Sequence, residues 1–333
     1  MNSGNLNSNN FSFLDRIRIM DGTEELKSIF NRLIKDNAND ALSLINHENL
    51  HFPSLFLLSP EIEKSNLFNN LSLRNQIALQ ITNEILLKEN SNTKVLKSEY
   101  RKRNYPVLKW MLETGFMDFD IGDEYDEVLD IVSAILTTEY RDKSALPIIS
   151  DMIFKRNRKG HYFYDLVWAF FQCRDPYSLS LIANYLHSRD IKDVKLSHRL
   201  LSFIPDMAYE MRADNEKQYS FCIRWIRENG PFLYFTGENF HQTSRPTPYK
   251  LSLEAKYLCK SICLDNGKPI APVTEEEQRL LDNFNKLNDD IRMLLANCSV
   301  LLNHQNLYWW NMWIHYPLSE QIKIARTRIG GLE

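Results

Sequence analysis

The sequence predicts an all-α fold of stacked antiparallel helix pairs, with a long C-terminal helix. Three observations lead there. Glycine is scarce, 10 of 333 residues, where a globular chain carries about 7%; a sheet with tight hairpins, or a nucleotide fold with a glycine loop, needs more. Apolar residues recur at i, i+3, i+4 and i+7, the period of a one-faced helix. In the middle of the chain two such stripes repeat at an interval of 33–35 residues.

Along the chain, Met1–Asn10 is rich in Asn and Ser, with neither a basic n-region nor an apolar core. It does not read as a signal peptide, and residues 1–13 read as a disordered arm. A first helix follows, with Leu26, Ile29, Phe30, Leu33 and Ile34 on one stripe and Thr23 as its expected N-cap ahead of Glu24 and Glu25. A short helix is expected over Asp40–Asn46, a longer one over Leu71–Lys88, and another around Val107–Glu113, ending before Gly115.

The central segment is the most informative. Val128, Ile131, Val132, Ile135 and Leu136 form one stripe, and Phe163, Leu166, Val167, Phe170 and Phe171 repeat it 35 residues on. Each precedes a second helix with a matching start: Arg141-Asp142-Lys143-Ser144-Ala145-Leu146 aligns with Arg174-Asp175-Pro176-Tyr177-Ser178-Leu179 at an offset of 33. Asp142 and Asp175 fall at N-cap positions, and Pro176 takes the first turn, where a missing N–H costs nothing. A looser third pair runs through Leu196, Leu200, Phe203 and Ile204, then Cys222, Trp225 and Ile226. Two helices per unit of about 33–35 residues is the signature of a helical repeat array. The Arg-Asp-x-x-Ala-Leu-Pro run at 141–149 resembles the second helix of a HEAT-type repeat. The likeness is clear over 124–188 and extends to about 229. It implies an α-solenoid over 124–229 and, being a structural family, implies no chemistry; the helical repeat region is taken as 14–229, but the N-terminal hundred residues keep no clean register and the third spacing stretches to 42, which leaves a compact, irregular helical bundle as the alternative.

Residues 230–251 interrupt the pattern. Gly230, Pro231, Gly237, Pro246 and Pro248 lie among Phe232, Tyr234, Phe235, Phe240 and Tyr249, which reads as an aromatic loop or a small hairpin. Residues 252–331 read as a helical cap on the same array. There Thr274-x-x-Glu277 is a capping box. Leu280, Phe284, Leu287, Ile291, Leu294, Cys298 and Leu301 then keep a 4-3 spacing, which predicts one helix of nearly thirty residues. Leu281, Leu295 and Leu302 widen the stripe beyond a coiled-coil seam, so burial within the chain is favoured over dimerisation.

The formal net charge is −3, without the basic excess of a dedicated nucleic-acid binder. No run of about 18 apolar residues occurs, so no membrane insertion is expected. The five cysteines are odd in number and show no CxxC spacing, which suits reduced thiols and a cytoplasmic location. No cofactor is implied.

Four clusters bear on function. His47-Glu48-Asn49-Leu50-His51 matches the HExxH of zinc hydrolases, in which one helical face carries both imidazoles and the glutamate activates the metal-bound water. Pro53 follows at once, and Glu84 is only a nominal third ligand, so His47 and His51 are weak metal candidates. Arg101, Lys102 and Arg103, with Lys155, Arg156, Arg158 and Lys159, are candidate phosphate contacts for a nucleic acid, although cations at helix C-termini are also ordinary capping chemistry. The acidic run Asp118–Glu127 lacks EF-hand order and reads as a solvated loop feeding a helix. Tyr308, Trp309, Trp310 and Trp313 form the densest aromatic cluster, readable as the array's last core or as a partner surface; Tyr234 and Phe235 of the aromatic loop join it as candidate contacts. The function expected is a non-catalytic protein–protein interaction module, with a nucleic-acid-binding repeat protein and a zinc hydrolase as alternatives.

Overall fold

The computed structural model describes residues 11–87, 100–118, 120–205, 207 and 214–329. Within them are seventeen α-helices and one two-stranded antiparallel sheet, so the chain is all-α. It divides after Cys173 into two compact units. Residues 1–10 of the expected arm, and Lys88, lie outside the described residues.

The first unit holds α1 (Phe13–Asp21), α2 (Thr23–Asp36), α3 (Ala38–Ile45), α4 (Phe52–Lys64), α5 (Leu73–Leu86), α6 (Arg101–Gly115), α7 (Asp123–Thr138), α8 (Leu146–Lys159) and α9 (Tyr164–Gln172). The expected arm ends earlier than residue 13. Ser12 caps α1 in a reciprocal box with Asp15, because Asp15, itself fully buried, also accepts from Ser54 Oγ at 2.6 Å and the His51 amide at 3.1 Å. That buried carboxylate ties α1 to α4. Thr23 opens α2, while Gly22, at φ 89°, takes the cap position in its place.

The predicted stripes on α7 and α9 face the core. Val128, Val132, Leu136, Leu166, Val167 and Phe170 are all buried, and α7 packs on α6 and α9. Gly115 ends α6 with no room for a side chain: a Cβ there would meet the Tyr125 hydroxyl at 2.6 Å. The hydroxyl instead donates to the Gly115 carbonyl at 3.0 Å.

The sequence repeat has a conformational counterpart. Arg141 and Arg174, 33 residues apart, both adopt positive φ (51° and 56°). Asp142 and Asp175 are both extended, and each leads into a 3-10 turn, Lys143–Ala145 and Pro176–Ser178. Asp142 caps as expected, accepting from the Ser144 amide at 2.9 Å.

The second unit holds α10 (Leu179–Ala183), α11 (Ile191–Leu200), α12 (Asn215–Asn229), strands β1 (Leu233–Phe235) and β2 (Tyr249–Leu251), then α13 (Leu253–Tyr257), α14 (Glu275–Phe284), α15 (Asp289–Gln305), α16 (Leu307–Trp313) and α17 (Leu318–Ile329). The strands pair antiparallel, Leu233 opposite Leu251, so the aromatic loop is a small hairpin with a long connection. The predicted helix of nearly thirty residues is two. The chain leaves α14 at Asn285, and Asn288 caps α15 by accepting from the Ile291 amide at 2.9 Å. The 4-3 stripe survives the break because Phe284 and Cys298 sit in one apolar cluster with Leu281, Leu295 and Leu302. Lys256 of α13 is 1% exposed. Its ammonium donates to Asn229 Oδ1 at 2.6 Å and Asn297 Oδ1 at 2.5 Å, joining α12, α13 and α15.

Candidate functional site

The site is built where three short-looped helices meet at the end of the second unit. Asn306 stops α15 and starts α16, its side chain accepting from the Trp309 amide at 3.1 Å. The resulting seven-residue helix packs on α15. Trp310 turns inward, its indole Nε1 donating to Ser299 Oγ at 2.7 Å, and that hydroxyl donates to the Tyr257 carbonyl at 2.5 Å. Trp313 is buried, edge-on to Tyr257 at 6.2 Å. Among the described residues, the other side of α16 has no such cover. Leu307, Tyr308 and Trp309 are 58%, 70% and 53% exposed, and Met312 36%.

Below this ridge a groove of about 400 Å³ runs between α16 and α17, with Trp309, Trp313, Tyr316 and Ile324 as its apolar lining and Glu320, Lys323 and Arg328 as a mixed-charge rim. Trp313 Nε1 is buried there with no hydrogen-bond partner among the described residues. Buried indole N–H groups ordinarily find an acceptor; this one lies inside the core beneath the apolar wall of the groove.

The six aromatic candidates therefore separate. Tyr308 and Trp309 form the ridge, Trp313 the groove, and Trp310 is an internal strut. Phe235 is buried in β1, its amide donating to the Leu264 carbonyl at 2.7 Å. Tyr234 is half-buried over Gly267, whose missing side chain makes room for the ring. Neither reaches the ridge surface as a free contact. Leu307 and Met312 also belong to the ridge; Leu307, which directly follows the Asn306 cap, was not singled out by sequence.

Most of the basic side chains have local partners. Arg101–Arg103 fall in the first turn of α6, not at a C-terminus. Arg101 pairs with Glu139 and lies 5.7 Å from the Tyr140 ring, and Arg103 stacks on Tyr100 at 4.6 Å. Lys102 is exposed. Lys155 pairs with Asp151 at 2.7 Å and Lys159 with Asp120 at 2.8 Å, while Arg158 is half-buried in the last turn of α8. Arg156 cannot reach a phosphate without leaving the core. It is 1% exposed, with Nη1 donating to Asp130 Oδ2 at 2.8 Å and Nη2 3.2 Å from Asp126 Oδ1. The acidic run is thus more than a solvated loop: Asp126 holds Arg156, and Asp118 pairs with Arg18 at 2.6 Å.

The HExxH spacing is present without its helix. Helix α3 ends at Ile45, so residues 47–51 form a turn before α4 and the two imidazoles do not share a helical face. His47 Nδ1 accepts from the Asn49 amide at 3.1 Å, and the His51 ring packs on Phe11 at 4.7 Å. Burial lowers the His51 pKa against the opposing pull of Asp15. Among the described residues, no three His, Cys, Asp or Glu side chains converge to hold a metal ion, and no helix is long and apolar enough to cross a membrane. Comparison with protein-family models, with curated proteins and with solved structures finds no match.

Proposed function

We propose that this chain is a non-catalytic protein–protein interaction module and that the α16–α17 face receives the partner. The observation carrying this reading is the ridge of Leu307, Tyr308 and Trp309, each more than half exposed, above a groove with apolar walls. Covering the open half of one Trp side chain, on the order of 100 Å², is worth about 2.5 kcal/mol at about 25 cal/mol/Å². Aromatic anchors beside a desolvated pocket dominate binding energetics. The partner that fits places an apolar side chain in the groove. The matching turns at Arg141 and Arg174 support reading the two Arg-Asp segments as copies of one repeated sequence unit.

The test is recovery of the native complex with wild type and with the double variant Tyr308→Ala/Trp309→Ala. A partner present with wild type should fall by at least about tenfold in the variant, whose unfolding midpoint stays unchanged. Equal recovery from both chains, or the chain alone in both, overturns the proposal.

A further inference from the structure

The first unit contains a second cavity, of about 680 Å³, bounded by α7, the end of α8 and the start of α9. Its base is the ion triad of Arg156, Asp126 and Asp130. Around it stand three further carboxylates, Asp123, Glu127 and Asp165. The lining thus sets five carboxylates against one guanidinium and one imidazole, that of His161. Asp130 is 8% exposed, and although Oδ2 accepts from Arg156, its Oδ1 has no hydrogen-bond partner among the described residues. The remaining wall is apolar and aromatic: Ile131, Ala134, Trp168 and the 55% exposed Tyr162.

Each feature narrows the ligand. An anion meets five carboxylates and a guanidinium whose terminal nitrogens are already engaged. A bare metal ion meets no convergent set of three ligands among the described residues. An alkyl chain ending in ammonium or guanidinium groups matches all of it. Its N–H donors answer the carboxylates of the lining, its charge lies against aromatic side chains, and its methylenes cover Ile131 and Ala134. We propose that this cavity binds such an organic cation, as a free polyamine or as Lys and Arg side chains of a basic peptide. The site lies in the first unit and does not depend on the α16–α17 reading. A bound cation would also draw the Asp130 proton off, because burial has raised that carboxyl against the pull of Arg156.

Isothermal titration of the full chain with spermidine, and separately with a capped Lys-Arg-Lys peptide, tests this. At least one probe should bind saturably at one equivalent. Asp123→Asn/Asp165→Asn, which alters two exposed acids and leaves the buried triad intact, should weaken it by about tenfold or more. Glu127→Gln provides a second variant should that pair perturb the fold. Asp289→Asn/Asp290→Asn on α15 removes the same charge elsewhere and should leave binding unchanged. Spermidine binding identifies a free polyamine site; binding of the peptide alone identifies a partner's side chains. No saturable binding of either probe at millimolar concentration overturns the assignment. So does equal weakening by the α15 control, which would mean a general charge effect.

Discussion

Two aromatic clusters of similar make-up meet opposite ends in this chain. In the first unit Phe52, Phe56, Trp110 and Tyr125 close on one another: Tyr125 is fully buried, stacked on Phe52 at 5.6 Å and edge-on to Phe56 at 5.0 Å. In the second, Leu307, Tyr308 and Trp309 stand mostly in solvent. Residue type does not separate them. The first cluster is held by α4, α6 and α7, which pack around it. The second rides on a seven-residue helix braced on one side by Ser299 and Tyr257. The lesson is that an apolar helix becomes core or contact surface according to how many neighbours enclose it, and α16 has too few.

The comparison can be broken most forcefully at Tyr125. Replacing it with Ala removes a buried ring and its hydrogen bond to Gly115, and should cost about 3–5 kcal/mol in urea unfolding. A smaller loss is expected from Ser299→Ala. It strips the partner from the Trp310 indole and the Tyr257 carbonyl, at about 1–3 kcal/mol, and should raise quenching of tryptophan fluorescence as Trp310 loosens.

The next effect is electrostatic and belongs to the first unit. Burial pushes the Asp130 carboxyl up to about 7, outweighing the opposing charge of Arg156, with Asp126 and Asp165 adding to the rise. An unfolded chain's Asp ionises near about 3.9, so the folded state binds the extra proton between these values. Stability should therefore fall as pH rises from about 4 to 7, by at most about 1.4 kcal/mol per unit. Asp130→Asn should flatten this slope, read as the difference between the two proteins' unfolding free energies across pH. The smallest effect sharpens the contrast from the other side: Trp309→Ala should shift stability by no more than about 0.5 kcal/mol, an order below Tyr125→Ala.

Much of the fold was legible because the stripes were. The Val128 and Phe163 runs are the buried faces of α7 and α9, and the Arg-Asp starts at 141 and 174 share one turn conformation. The break at Asn285–Asn288 was hidden by the same logic, since the 4-3 spacing persists across a helix end when both helices feed one apolar cluster. Asn288-Asp289-Asp290, a cap followed by acids, was the local sign of it. The fate of Arg156 turned on Asp126 and Asp130, one helical turn apart on α7; its neighbours in sequence gave no hint. HExxH failed because spacing alone does not make a helix, and α3 stops too soon. The ridge itself could not be resolved in advance. Within Leu307–Trp313 nearly every residue is apolar, and which ones turn inward depends on where α15 and α17 lie.

The central claim is that the exposed side of α16 is a contact surface. It is tested most directly by placing a photo-crosslinking phenylalanine analogue at position 308 in the native cell, with Lys217, whose side chain is 85% exposed, as the control position. A discrete protein adduct is expected at 308, absent at 217 and lost when Trp309→Ala is added. Adducts at 308 no different from those at 217, or unaffected by Trp309→Ala, would contradict it.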